Sequence, residues 1–205
     1  ITEVTTDGRV IATDNEGPSD PFLQQALNTP ETKEVIKAYN DLRSRLSAIQ
    51  EQVRAQDPVD TTEIDGIIDK VLQLLDHHKP QVIEFILYGF QGQAGNVENA
   101  LNCAFQSVLV GQHLNLAKHK LLHLATGALL HDIGMQRLPD RIINKEGKLT
   151  AEESQLVRTH PIHSYKIITR EMKYPEEVGL AALQHQERWD GEGYPKRIAG
   201  QNIIL

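Results

Sequence analysis

An all-α fold is what this sequence predicts, and three observations predict it. Apolar residues recur at helical spacing along most of the chain beyond Val35. Helix-opening residues punctuate that pattern at Thr29-Pro30, Asp60 and Thr150. Strand signals are confined to residues 1–28, where Val4 to Thr6 and Arg9 to Thr13 flank Asp7-Gly8, a turn pair that favours a short β-hairpin. This partial N-terminal segment is expected to be the remnant of an upstream module.

The elements follow in order. Thr29-Pro30-Glu31 reads as an N-cap, a proline at the first helical position and an acidic first turn, opening a helix to about Ala55. Val35, Tyr39, Leu42, Leu46, Ile49 and Val53 alternate steps of four and three, forming a heptad seam. Such a seam either packs on its own domain or joins copies as a signalling and dimerising helix. A second helix opens at Asp60 to Glu63, with Ile64, Ile67, Ile68, Val71, Leu72 and Leu75 facing inward, and ends at His77-His78 before Pro80. That histidine pair is read as a favourable helix terminus rather than a metal site. Gln81 to Gly89 is a short apolar helix and Gln91 to Gly95 a loop. Helices follow at Val97 to Leu114, Lys118 to His131, from a Thr150–Glu153 capping box toward His160, Ile162 to Met172 and Pro175 to Gln186. Glu187 to Leu205 is glycine-rich and loop-like.

Bulk properties narrow the function. Hydrophobic residues make up 40% of the 205 and aromatic residues 5%, so the core should be aliphatic. A net charge of −7 gives no electrostatic reason to expect a nucleic-acid polymer as partner. No apolar run reaches the roughly 20 residues of a membrane span, and the N-terminus lacks the pattern of a signal peptide. The single cysteine, Cys103, rules out an intrachain disulfide and fits a reducing cytoplasm. Its neighbours Ala104 and Phe105 predict a buried structural thiol. A start at Ile1 fits a trimmed or processed chain.

Chemistry concentrates late in the chain. His131-Asp132-Ile133-Gly134 ends an apolar helix, with Gly134 read as its stop. His160-Pro161 follows, with Ser164 and Ile167 on the next helix, then His185 and the run Glu187 to Pro195. A lone His-Asp pair is common, and a Gly/Pro run is usually a tight surface turn. Together, imidazole nitrogens and a carboxylate suit Mn, Fe or Zn, and such a centre can activate water against phosphorus.

Three segments resemble the HD-GYP domain, a branch of the HD phosphohydrolases: ALLHDIG at 128–134, HPIHSYKII at 160–168 and QHQERWDGEGYP at 184–195. The resemblance covers residues 96–205, leaving 29–95 as a helical linker or signalling region. It implies an HD-type helical bundle around a two- or three-metal centre, cyclic di-GMP as substrate opened to pGpG or GMP, and docking onto GGDEF-domain proteins. By resemblance, His131 and Asp132 are metal-binding and catalytic, while His160 and His185 are further ligands. The loop residues Arg188, Asp190, Gly191, Gly193, Tyr194 and Pro195 face the ligand or a partner.

Other positions depart from the family pattern. Asn99 and Gln186 stand where the family has histidine, Met135 where it has a catalytic lysine, and Gly95 where three-metal members place a glutamate. Two further helices are expected beyond Leu205, the first with another aspartate ligand. The expectation is a degenerate member holding at most one tightly bound metal, with weak or no phosphodiesterase activity, acting by nucleotide or partner binding. An active metal-dependent cyclic di-GMP phosphodiesterase is the alternative.

Overall fold

Thr29 and Pro30 open the first long helix as their chemistry requires. The Thr29 hydroxyl accepts the Thr32 backbone N–H at 3.1 Å, and Gln56 closes the helix in a left-handed conformation with φ 62°. In this computed structural model the described residues are 28–89 and 95–204, together with the backbone of two short strands. Those strands, β1 (Glu3–Val4) and β2 (Val10–Ile11), pair antiparallel with Glu3 opposite Ile11. The Asp7-Gly8 turn predicted between them lies outside the described residues.

All other regular structure among the described residues is helical. Helix α1 (Pro30–Ala55) lies against α2 (Thr61–Glu84), and both pack on the hairpin of α3 (Asn96–His113) and α4 (Lys118–Leu130). Shorter helices α5 (Asp140–Ile143), α6 (Ala151–Val157), α7 (His160–Lys166) and α8 (Glu176–Gln184) complete the bundle. One continuous apolar core runs from Val35 on α1 to Ala182 on α8.

The heptad seam of α1 is buried along its whole length, and its partner is α2 of the same chain. Each fully buried leucine or valine contributes about 1.5–3 kcal/mol of transfer free energy. Because its apolar edge is covered internally, the seam offers nothing to a second copy. Tyr39 on that seam has its ring edge-on to Phe85, with centroids 4.9 Å apart, and donates its hydroxyl hydrogen to Asn102 Oδ1 at 2.9 Å. Burial pushes this phenol well above its usual range, with Glu98 adding to the effect.

The structure revises several sequence-based expectations. On α2 it is Leu74 that is buried, while Leu72 is only partly so, because the inward stripe drifts with the 3.6-residue repeat. The break expected at Pro80 appears as a kink at His78 (φ −133°, ψ 31°), beyond which the helix resumes to Glu84 and passes into a π-turn at Phe85–Gly89. Another π-turn, Ile167–Glu171, extends α7. Cys103 is only partly buried.

Gly134 is not a helix stop. It lies inside a 3-10 turn, Ile133–Arg137, and has no left-handed φ. Its role is close approach: a Cβ there would sit 2.2 Å from the His160 carbonyl oxygen and 2.4 Å from the Ser164 nitrogen. Glycine is what lets the turn after Asp132 lie directly on the start of α7.

Candidate metal centre

Three helices end at one place, and a histidine stands at or just beyond each end. His131 follows the last residue of α4, His185 follows the last residue of α8, and His160 opens α7 just beyond the end of α6. The last carbonyls of a helix have no partner within it. Each histidine supplies one: Nδ1 of His131 lies 2.8 Å from Ala128 O, that of His160 2.8 Å from Val157 O, and that of His185 2.7 Å from Ala182 O.

These contacts fix the chemistry of the rings. A carbonyl oxygen only accepts, so each Nδ1 carries the hydrogen. In the neutral ring Nε2 then presents a lone pair, and all three Nε2 atoms turn toward Asp132. His131 Nε2 is 3.2 Å from Asp132 Oδ2, while the Nε2 atoms of His160 and His185 are each 3.1 Å from Asp132 Oδ1. Those two Nε2 atoms are also 3.1 Å from each other. Lone pairs and carboxylate oxygens at such distances repel unless a cation, either a proton or a metal ion, lies among them. The donor set therefore fits a borderline divalent metal.

Asp132 reaches this position from the bridge region of the backbone (φ −100°, ψ 7°), a conformation common at functional sites. Burial would raise its pKa, but contact with the three imidazoles of His131, His160 and His185 outweighs it and holds the carboxyl well below the usual carboxylate range. For His131, burial pulls the pKa down, yet the bond and charge of Asp132 outweigh it and the net shift is upward. The ligand atoms of His131, Asp132 and His185 all lie within 4.8 Å of one another. His160 is the most enclosed of the four, with a side chain only 4% exposed.

The other singled-out residues fall differently. Asn99 is exposed on α3 and Met135 is half-buried in the 3-10 turn. On α3 it is Cys103, one turn beyond Asn99, that feels the centre: burial raises its thiol pKa and the charge of Asp132 raises it further. Gln186 contributes its backbone carbonyl, accepting the Tyr194 N–H at 3.1 Å.

That bond helps fold the Gly-Tyr-Pro loop over the centre. Tyr194 stands edge-on to the His160 ring at 6.3 Å, and Arg158 caps the Tyr194 face at 5.1 Å. Gly191 takes φ 78°, and Gly193 packs against the backbone of Gln186, Glu187 and Arg188. Arg188 is engaged by Asp190, its Nε 3.0 Å from Oδ1. Pro195 follows a cis peptide bond.

Sequence reasoning passed over three contributors. Glu187 clamps the loop by accepting the Lys196 N–H at 2.7 Å and the Ile198 N–H at 3.2 Å. Ser164, noted only as a neighbour, accepts the Gly134 N–H at 2.9 Å and holds the Asp132 turn on α7. Arg54, at the end of α1, donates to the buried Gln136 Oε1 at 2.7 Å, tying the long helix to the same turn. A carboxylate opening a Gly/Pro loop was a usable signal for Glu187. No local signal marked Arg54, whose partner lies 82 residues away.

The family model for the HD domain matches residues 96–205. Cyclic di-GMP phosphodiesterase PdeB of Borreliella burgdorferi is 34% identical over 110 residues, which is 54% of this chain and 29% of that protein. A cyclic di-GMP phosphodiesterase of Pseudomonas aeruginosa is 26% identical over 188 residues, 92% of this chain and 45% of that protein. The chain thus spans less than half the length of these curated relatives. Among solved structures, an HDG"Y"P protein from Bdellovibrio bacteriovorus shares the fold, with a TM-score of 0.63 at 16% identity over 89% of this chain and 60% of that one. No helix among the described residues is long and apolar enough to cross a membrane.

Proposed function

The chain belongs to the HD domain family, in its HD-GYP branch, and from that premise we propose that the His131–Asp132–His160–His185 centre holds one transition metal and serves cyclic di-GMP signalling with hydrolysis weak or lost. The observation that carries this reading is the convergence of three Nε2 atoms on one carboxylate. Four such groups suit a single Fe, Mn or Zn ion. A bound ion would supply Lewis acidity toward a phosphate oxygen of the nucleotide.

The chain's own residues would orient that chemistry. Asp132 positions the imidazoles, the carbonyls of Ala128, Val157 and Ala182 set their tautomers, and Tyr194 narrows access beside His160. What is missing argues for the depleted form. Asn99 and Gln186 offer no imidazole, and Met135 offers no cation for phosphate or leaving group. A two-metal site needs ions about 3.5–4 Å apart, with ligands on both sides.

A second reading, partner docking, has its own motivation. Trp189 in the Gly-Tyr-Pro loop is 71% exposed, an unusual placement for a large ring unless a partner covers it. A GGDEF-domain protein is the partner this reading names. A homodimer would need a surface other than the α1 seam. Helices α1 and α2 serve in either case as an arm through which a signal reaches the Asp132 turn, by way of Arg54 and Gln136.

Elemental analysis of protein purified without chelator, paired with a cyclic di-GMP turnover assay, tests the main reading. One metal or fewer per chain with little turnover is the expected result. Asn99→His with Gln186→His should raise the stoichiometry. Two or more tightly bound metals in the unmodified chain, with turnover abolished by a chelator, would restore the active phosphodiesterase.

A further inference from the structure

A pair of histidines lies one turn apart on α4, away from the centre. His119 and His123 share a face at i and i+4, with ring centroids 6.4 Å apart and planes at 83°. Two imidazoles in this register can chelate one ion through their free nitrogens. On the neighbouring helix α8, Glu177 Oε2 sits 3.1 Å from His123 Nδ1. A carboxylate at one ring nitrogen leaves the other free for a metal and makes it more basic, the arrangement found behind metal-bound histidines.

The placement of this cluster has a structural consequence. His123 on α4 precedes His131, and Glu177 on α8 precedes His185, by the same eight residues. Eight residues of helix rise roughly 12 Å, and α4 packs directly on α8. The two helices run side by side in the same direction, so the pair that brings His131 to His185 at one end brings His123 to Glu177 at the other.

We propose that His119 and His123 form a second, peripheral site for a borderline divalent cation such as Zn²⁺, with Glu177 holding His123 from the adjoining helix. The ion binds the two imidazoles and water, and through Glu177 it ties together the helices that carry two of the central ligands. Lys118 and Lys120 flank the pair in the sequence and oppose a cation, so the site is weaker than the centre, while Glu177 offsets part of that repulsion. All three side chains are at least partly exposed, so an ion and its waters can reach both rings.

Calorimetric titration of the chelator-stripped full chain with Zn²⁺ alone tests the proposal. The unmodified protein should show a weaker class of binding that His119→Ala abolishes, leaving any tighter class unchanged. Glu177→Ala should weaken that class by about 10- to 100-fold. Because the readout is the class lost with His119, it holds whether or not the centre itself binds metal. A titration curve unaltered by His119→Ala, or the absence of any class that depends on it, overturns the site. An unchanged affinity in Glu177→Ala overturns the role of the carboxylate.

Discussion

The α1–α2 pair and the histidine centre share one core but are held together by opposite means. Between the two long helices, apolar side chains meet at a regular repeat, and nearly every buried group is hydrocarbon. At the centre, polar groups converge on a carboxylate, and every one depends on a partner elsewhere: a helix-end carbonyl, a serine hydroxyl, a glycine that leaves room. The first arrangement is redundant, since many contacts share the load. The second is specific, since each contact has one donor and one acceptor. Damage to the pair should therefore appear as lost stability, and damage to the centre as lost metal affinity with the fold largely retained.

The largest effect belongs to the seam. Leu42 and Leu46 are both fully buried, and Leu42→Asp with Leu46→Asp would place two carboxylates in hydrocarbon. Removing each leucine alone costs about 2–5 kcal/mol, and burying unpaired charge adds several more, which together rival the roughly 5–15 kcal/mol that holds a domain folded. Circular dichroism should show the helical signal lost or the thermal transition drastically lowered. A melt indistinguishable from that of the unmodified chain would mean that the seam is not the structural spine of the fold.

Gly134→Ala sharpens the contrast, because it strikes the point where packing and site meet. The new methyl would overlap the backbone at His160 and Ser164, neither of which is a flexible side-chain tip. Overpacking of this kind costs about 1–3 kcal/mol. The turn must move away from α7 to relieve it, carrying Asp132 from His160 and His185. Metal affinity should therefore fall by about tenfold or more, a larger fractional loss than the change in melting temperature. Equal affinity in the two proteins would uncouple the turn from the centre.

Ser164→Ala is a milder probe of the same joint. The hydroxyl accepts the buried Gly134 N–H at 2.9 Å, and its removal strands that donor. The expected cost is about 1–3 kcal/mol, read from chemical denaturation. A change smaller than half a kcal/mol would show that another acceptor or water takes over.

This contrast also explains what the sequence made legible. The helices were readable because periodicity is local: Thr29-Pro30 announced α1, and the Thr150–Glu153 capping box announced α6. The four central residues are singled out by their motifs, and their convergence follows from each histidine ending or opening a helix. Their supports were not legible. Gly134 looks like a helix stop in one dimension, and only the approach of α7 shows that its missing Cβ is what matters. Arg54 and Gln136 are ordinary surface residue types until the fold brings them within 2.7 Å. Leu74 is buried and Leu72 only partly so because the 3.6-residue repeat rotates the inward stripe from turn to turn.

The smallest expected effect lies at the start of α2, where a charged N-cap rather than hydrocarbon holds the helix end. Asp60 accepts the Thr62 N–H at 2.9 Å and the Thr62 hydroxyl at 2.8 Å. These bonds hold its carboxyl below the usual carboxylate range. A carboxyl depressed in the folded state stabilises that state whenever it is ionised, and the contribution disappears as pH falls through the folded-state value. Asp60→Asn keeps an oxygen acceptor for the cap but carries no charge. Near neutral pH the unmodified chain should therefore be slightly the more stable of the two, and the gap should close below about pH 4. Comparing the two proteins isolates Asp60 from every other carboxylate that titrates in the same range, Asp132 included. Denaturation curves at intervals from pH 7 to pH 2 would measure the difference. A gap that stays constant across that range would show that the cap acts through hydrogen bonding alone, and that charge at this helix start adds nothing to the α1–α2 pair.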